Sequence, residues 1–345
     1  MTTTTAAILV ETGRPLVVAE IGLPERLEYG QVLVRVRASG ICGSQIGEID
    51  GVKGPDKFLP HLLGHEGGGV VEETGPGVRH VKRGDRVVLH WRKGAGIESP
   101  TPKYRWGDRA VNAGWVTSFN ERAVVSENRV TRVDDDVDFE VAALLGCAVT
   151  TGLGVVVNDA RVRIGESVAV YGVGGVGLCI VQGAALAGAW PIIAIDRDPG
   201  KLAMAAQFGA THTLDTGAGP TAAEIRRIAG PAGVDIAIEA TGHVPLIEEA
   251  YEVTSPRGRT VLVGVPRAGE KARIYTLPLH FNKSLRGSHG GDAEPLTDIP
   301  RYVNLWRQGR LRLAEMITHT FGLPEINDAI ALLRSGGAGR CIIRM

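Results

Sequence analysis

Gly172, Gly174 and Gly177 stand in the order Gly-x-Gly-x-x-Gly directly after the apolar run Val168-Ala169-Val170-Tyr171. That run reads as a buried parallel strand, and a helical pattern follows from Val176 to Leu186. A tight strand-to-helix turn needs residues without Cβ. Gly172 makes the turn, Gly174 lets the backbone approach a pyrophosphate, and Gly177 lets helix and strand pack closely. The N–H groups at the helix start, Gly175 and Val176 among them, then face the phosphates. A second buried strand, Ile192-Ile193-Ala194-Ile195, ends at Asp196, nineteen residues after Gly177. A carboxylate there can accept hydrogen bonds from a ribose diol and repels a 2′-phosphate, which favours NAD over NADP. Arg197, beside it, could accept that phosphate. The chain has 47 glycines, so a bare glycine trio carries little. Its position after a strand, at the start of a helix and before a strand ending in Asp makes it a dinucleotide fingerprint.

Cys42, His65 and Cys147 form a second polar set. Two thiolates and one imidazole suit Zn²⁺, and three protein ligands leave a fourth position for water or substrate. The spacing is long, so it does not by itself bring the three together. A lone cysteine is more often a small buried hydrophobe, and a lone histidine is more often simply hydrogen-bonded.

Both sets need elements to hold them. At 345 residues the chain has room for about two domains of ~150 residues. Apolar residues make up 44%, ample for a core, and the formal net charge is zero, which gives no case for nucleic acid or an acidic membrane surface. Met1-Thr2-Thr3-Thr4-Thr5 lacks a basic region followed by an apolar stretch, so no signal peptide is expected, and no apolar run approaches the ~18 residues a membrane span needs. The four cysteines are far apart and form no disulfide framework, which fits a reducing cytoplasm.

The first 40 residues read as strands, with Gln31–Ala38 alternating apolar and polar, and a loop follows from Ser39 to Gln45. Glycine-punctuated strands continue at 63–72 and 84–89, and their pattern predicts a partly open β-barrel. Residues 91–118 show no periodicity. Between Trp91 and Arg122 six basic residues face three acidic ones, a pattern of a solvated surface lobe. From Phe139 the pattern turns helical and then alternates strand and helix through 264, as a doubly wound parallel sheet requires. An amphipathic helix over 324–334, stopped by Gly336-Gly337, and a strand at 341–343 close the chain.

Ala38-Ser39-Gly40-Ile41-Cys42-Gly43-Ser44, Gly64-His65-Glu66, Gly84-Asp85-Arg86-Val87, Leu145-Gly146-Cys147, the glycine fingerprint, Glu239-Ala240-Thr241-Gly242 and Ile317-Thr318-His319-Thr320-Phe321 occur in order. With these motifs the chain, from about residue 6 to its end, resembles the zinc-dependent alcohol dehydrogenases of the medium-chain dehydrogenase/reductase superfamily. A Cys₂His catalytic site is the established pattern of that family. The resemblance implies an α/β fold: a Rossmann NAD-binding domain over 149–289, and a GroES-like catalytic domain over 1–148 and 290–345. It implies Cys42, His65 and Cys147 as ligands of one catalytic zinc, with Glu66 near the metal and able to coordinate it transiently. Ser44 corresponds to the hydroxyl that binds the substrate oxygen and passes on its proton. Asp196 and Lys201 correspond to ribose contacts, Val263 and Val265 to main-chain positions beside the nicotinamide carboxamide, and Arg340 to an arginine near Glu66 and the cofactor phosphates.

Three departures stand out. Residues 90–120 hold no cysteine, so the four-cysteine structural zinc that many relatives carry should be absent. Gln45 replaces an Asp that usually supports the ligand histidine, and Gly47 replaces a histidine that relays the proton in some members. The resemblance implies an oxidoreductase acting on a small alcohol/aldehyde or ketone pair, the basic surplus favouring a polar one. It also implies a cytoplasmic homodimer or homotetramer. Two alternatives differ in chemistry: a zinc-free quinone or enone reductase, opposed by the intact Cys42/His65/Cys147 set, and an inactive NAD-binding structural protein, opposed by Ser44 and Glu66.

Overall fold

The computed structural model describes residues 2–219 and 221–345. They divide into two units, one running up to Cys147 and resuming over Glu294–Met345, the other Ala148–Ala293.

The first unit is built round the strand Gln31–Gly40. Val32, Val34 and Val36 are buried while Arg37 is exposed, because alternate residues of a strand face opposite sides. The valine stripe packs with Val71, Val87, Leu89 and Val125. Glu66–Thr74 pairs antiparallel along one edge, followed by Arg86–His90 and Val130–Val133. The other edge is shared. Arg122–Ser126 takes Gln31–Arg35, and the C-terminal strand Arg340–Arg344 takes Ala38–Gly40. These registers oppose Ser39 to Gly67, Gly40 to Ile342, and Glu66 to His90. Gly40, Glu66, His90 and Arg340 therefore gather at one end of the sheet.

The β-barrel domain is present, with its strands divided differently from the sequence reading: those near 31–38, 63–72 and 84–89 form the sheet above, and a smaller circuit beside it is closed. Thr3–Leu9, Val17–Gly22, Lys103–Trp106, Arg109–Asn112 and His61–Leu62 pair in that order, back to the first. The closing hairpin, Lys103–Asn112, lies in the stretch without periodicity. Its strands are four residues each, too short for alternation to stand out, although Tyr104 and Val111 are fully buried. A closed circuit leaves no unpaired strand edge. The expected loop after Ser39 is also corrected. Cys42 is the N-cap of a helix, Gly43–Ile49, and the Gln45 side chain accepts a hydrogen bond from the Cys42 N–H.

The second unit is a six-stranded parallel sheet. Its spatial order is His212–Asp215, Ile192–Asp196, Val168–Tyr171, Val234–Glu239, Thr254–Leu262 and Ser284–Gly287. In chain order this is 3-2-1-4-5-6, the doubly wound Rossmann arrangement, whose ligand crevice opens where the order reverses between strands one and four. The helices Gly175–Leu186, Pro199–Gln207, Ala222–Ala229 and Val244–Val253 lie within a residue of the helical stretches that the sequence pattern predicts at 176–187, 199–208, 221–229 and 245–254. The sixth strand was not expected. It is short and largely exposed, so it has no buried stripe to betray it. No single helix among the described residues is long and apolar enough to cross a membrane.

Candidate metal centre and dinucleotide cradle

Cys42, His65 and Cys147 meet. One ligand atom from each lies within 4.8 Å of the others, and the two sulfurs are 3.9 Å apart. Three different elements deliver them. Cys42 follows the end of the central strand and caps the next helix. His65 precedes the strand Glu66–Thr74, after Gly64, whose φ of +90° is left-handed. A Cβ on Gly64 would also lie 2.6 Å from the Phe119 nitrogen, so only glycine fits this turn. Cys147 follows the helix Phe139–Leu145, with Gly146 pressed against the sheet end: a Cβ there would lie 2.2 Å from the Leu89 carbonyl oxygen and 2.9 Å from the Glu66 Cα.

The donor set fits a zinc ion. The Nε2 of His65 is buried with no hydrogen-bond partner among the described residues, as a nitrogen aimed at a cation would be. The sulfurs differ. The hydrogen bond from Cys147 holds the Cys42 thiol well below its usual range, against the effect of burial. The same contact and burial push Cys147 well above it. Burial alone would lower the His65 pKa, but the neighbouring Cys42 sulfur raises it.

Glu66 is fully buried beside this trio and forms a salt bridge with Arg340, itself 4% exposed. Burial pushes the Glu66 carboxyl up, and Arg340 only partly offsets that. Gly40 leaves room for the pair, since a Cβ there would lie 2.6 Å from the Glu66 Oε1. The Gln45 oxygen accepts from the Cys42 N–H and its Nε2 is buried with no hydrogen-bond partner among the described residues, so this amide caps the helix start and does not take over the histidine-supporting bond of the Asp it replaces. Ser44 lies exposed on the first turn of the Gly43–Ile49 helix, and Gly47 lies on the same helix.

In the second unit each fingerprint glycine has a visible reason. Gly172 has φ +83°, and a Cβ would lie 2.5 Å from the Thr241 Cγ2. Gly177 would place a Cβ 2.0 Å from the Gly172 carbonyl oxygen. Gly174, the N-cap of the Gly175–Leu186 helix, faces open space, the cradle a phosphate would need. Asp196 accepts hydrogen bonds from the Val173, Arg197 and Asp198 N–H groups at 2.9, 2.8 and 3.1 Å, which fixes the carboxylate beside the turn. Arg197 is exposed, and Lys201 sits half-buried in the first turn of the next helix. Val263 and Val265 line a cavity of about 320 Å³ with Leu262, Gly264, Gly287 and Ser288.

The sequence reading gave no role to Trp91 or to Glu239, which it met only as part of a motif. The Trp91 ring centroid lies 6.5 Å from that of His65. Only the register opposing Glu66 to His90 puts it there, and register is not written in composition. Glu239 is fully buried. Its carboxylate accepts from the Thr241 N–H at 2.6 Å, the Thr241 hydroxyl and the Gly242 N–H, while its carbonyl accepts from the Val263 and Gly264 N–H groups. It ties the loop that supports Gly172 to the strand end at Val263.

Two family descriptions match the chain: alcohol dehydrogenase GroES-like domain over residues 28–135, and zinc-binding dehydrogenase over 175–306. The alcohol dehydrogenase class-3 of Cereibacter sphaeroides and the S-(hydroxymethyl)glutathione dehydrogenase of Paracoccus denitrificans are each 32% identical to it, over 99% of both chains. Among solved structures it is similar to an alcohol dehydrogenase zinc-binding domain protein from Burkholderia ambifaria, with TM-score 0.91, 32% identity, and 100% of this chain and 99% of that one covered. It is also similar to the benzyl alcohol dehydrogenase from Acinetobacter calcoaceticus, with TM-score 0.90, 28% identity and all of both chains covered.

Proposed function

The chain belongs to the zinc-dependent alcohol dehydrogenases of the medium-chain dehydrogenase/reductase superfamily, and from there we propose that it moves a hydride between NAD and a small alcohol, with one zinc held by Cys42, His65 and Cys147. It is an oxidoreductase acting on CH–OH donors, not a zinc-free enone reductase or an inactive structural protein. The single observation that carries the proposal is the trio itself: two sulfurs and an imidazole nitrogen, from three elements, within 4.8 Å in a chain of this family. When bound, the zinc supplies Lewis acidity toward a hydroxyl or carbonyl oxygen and the nicotinamide supplies the hydride acceptor.

The chain's own residues do the rest. Ser44, two residues beyond Cys42, takes the alcohol's proton and donates its own onward. The buried Glu66–Arg340 pair holds the sheet end beside the ligands in place. Gly172, Gly174, Gly175, Val176 and Gly177 cradle the pyrophosphate, Asp196 and Lys201 bind the ribose, and Val263 and Val265 flank the carboxamide. NAD is favoured over NADP because a carboxylate held by three N–H groups cannot turn away from a 2′-phosphate. Four cysteines, widely spaced along the chain, suit a reducing, cytoplasmic setting, and the resemblance supports a homo-oligomer.

For the substrate, Trp91 beside His65 favours an alcohol carrying a flat ring, which an indole can stack. The basic surplus of 91–122 argues less for a polar substrate, since Arg122 is paired with Glu72 and Lys93 with Glu98. The test is elemental analysis with NAD reduction across benzyl-type, aliphatic and glutathione-adduct alcohols. The expected result is about one zinc per chain and fastest turnover of the aryl alcohols. Full activity without metal, two tightly held zincs, or NADP preferred to NAD would overturn the corresponding part.

A further inference from the structure

Glu127 is 1% exposed, a buried carboxylate in a short turn of helix between the strands Arg122–Ser126 and Val130–Val133. Its two oxygens accept three backbone hydrogen bonds from two separate loops. Oε1 takes the Arg79 and His80 N–H groups at 2.6 and 2.9 Å, and Oε2 takes the Ile97 N–H at 2.8 Å. These bonds hold the carboxyl below the usual glutamate range despite burial, so an ionised acceptor is what the site is built for. Gly96 lies against the side chain: at φ +105° a Cβ would come within 2.9 Å of the Glu127 Cγ.

The neighbours of Glu127 hold the same loop. The Ser126 hydroxyl donates to the Ile97 carbonyl at 3.0 Å and accepts from the Ser99 N–H at 2.7 Å. The Asn128 N–H also donates to the Ile97 carbonyl, and the Asn128 carbonyl accepts from the Gly94 N–H at 2.8 Å. Segment 94–99 has no regular secondary structure of its own, so these bonds fasten it, together with the ion pair of Glu98 with the buried Arg129 at 3.2 Å. The segment continues directly from Trp91, beside the candidate ligand His65, and from Arg92, whose carbonyl oxygen meets the His90 Nδ1 at 2.7 Å.

We propose that Glu127 is a positioning residue for the wall of the metal centre: its carboxylate clasps the 94–99 loop and so fixes Trp91 next to His65. The consequence for substrate binding rests on the proposed function above; the clasp itself does not. Glu127→Gln is the sharp variant. It keeps shape and volume, but an amide has one acceptor oxygen where the site presents donors to both, so one N–H is left facing an NH₂ group.

The test is limited trypsin digestion of the full chain, with fragments identified by mass, alongside zinc content and steady-state kinetics on the preferred alcohol. Arg92 and Lys93 lie at the root of the loop and report its opening. Glu127→Gln should speed cleavage at these two sites about tenfold, as losing a hydrogen bond to a charged acceptor allows, with other sites unchanged. Zinc per chain should stay at the parent value, KM should rise several-fold and kcat should stay within about twofold, the signature of lost binding rather than lost chemistry. Ser126→Ala deletes only the Ser126 side-chain bonds and should give the same pattern more weakly, which keeps the idea testable if the glutamine variant does not fold. Unchanged cleavage at Arg92 and Lys93, or a uniform increase at all sites, overturns the clasp. A loosened loop with unchanged KM overturns its link to the substrate wall.

Discussion

Ser44 and His90 make opposite uses of position. Ser44 is exposed, two residues from a metal ligand, and its hydroxyl can pass a proton where an alanine cannot. Folded, zinc-replete Ser44→Ala should turn over ~10²–10⁴ more slowly than the parent, the range for a positioned proton transfer, while Ser44→Thr keeps much of the rate. Turnover of Ser44→Ala within about threefold of the parent means that the hydroxyl only decorates the helix start. His90 is buried and neutral. Its Nδ1 meets the Arg92 carbonyl oxygen and its Nε2 the Thr131 hydroxyl, and burial lowers its pKa to about 4. An unfolded histidine takes its proton near pH 6.5, so between about 6.5 and 4 the unfolded chain binds more protons and native stability falls as pH falls. Between pH 7.5 and 5 that loss is roughly 2 kcal/mol. Urea unfolding of the parent and of His90→Gln at both pH values should show the gap between them narrowing by this amount at pH 5; a constant gap refutes the assignment. Residue types marked Cys42, His65 and Cys147 as a possible zinc set that only the family motifs joined, and Asp196 was legible from its place at the end of the second strand. Residue types could not point to Trp91 or His90, whose roles come from strand register, nor to the capping role of Gln45, where helix geometry decided between two acceptor uses.

Elements explain why the ligands arrive together. The end of the central strand, the start of the strand Glu66–Thr74 and the end of the helix Phe139–Leu145 bring the three ligands together, and glycine makes the last step where atoms are crowded. Gly146 and Gly43 each neighbour a candidate ligand but differ in surroundings. A Cβ on Gly146 collides with the Leu89 carbonyl, whereas one on Gly43 meets nothing within 4 Å. Gly146→Ala should therefore displace Cys147, lose most of its zinc and cost about 1–3 kcal/mol of stability, as overpacking does. Gly43→Ala should keep its zinc. Metal analysis of the two purified variants decides it, and equal zinc content would mean that the helix absorbs the extra methyl without moving the sulfur. The long periodic elements were legible in the sequence because buried parallel strands and amphipathic helices write their period over many residues. The barrel-closing hairpin was not, because four-residue strands carry too few repeats. Its one signal was the turn pair Gly107-Asp108 between the strands, a recognised hairpin connection.

Across the whole molecule, the metal trio lies entirely within the unit that ends at Cys147 and resumes at Glu294, and the glycine fingerprint with Asp196 lies entirely within Ala148–Ala293. Each proposed ligand therefore has its first contacts inside one unit, and linkage predicts where each one stabilises. A ligand that binds only the native state adds RT ln(1 + [L]/Kd), about 2.7 kcal/mol at a hundredfold excess over Kd. A single unfolding midpoint would blur this, since two units need not unfold as one. Hydrogen exchange resolved by peptide keeps the regions apart. Saturating NAD should slow exchange in 168–177, 192–198 and 239–242, where the phosphate turn, the ribose carboxylate and the Glu239-tied loop lie. A zinc chelator without NAD should instead speed exchange in 40–46, 62–67 and 144–148, around the three ligands. The direction of each change follows from a site losing or gaining a partner for groups already placed: the unpartnered His65 nitrogen on one side, the open position over Gly174 on the other. If chelation leaves exchange around Cys42, His65 and Cys147 untouched while releasing zinc, the metal is held elsewhere. If NAD protects none of the three peptides in 168–242, the glycine turn is not its cradle.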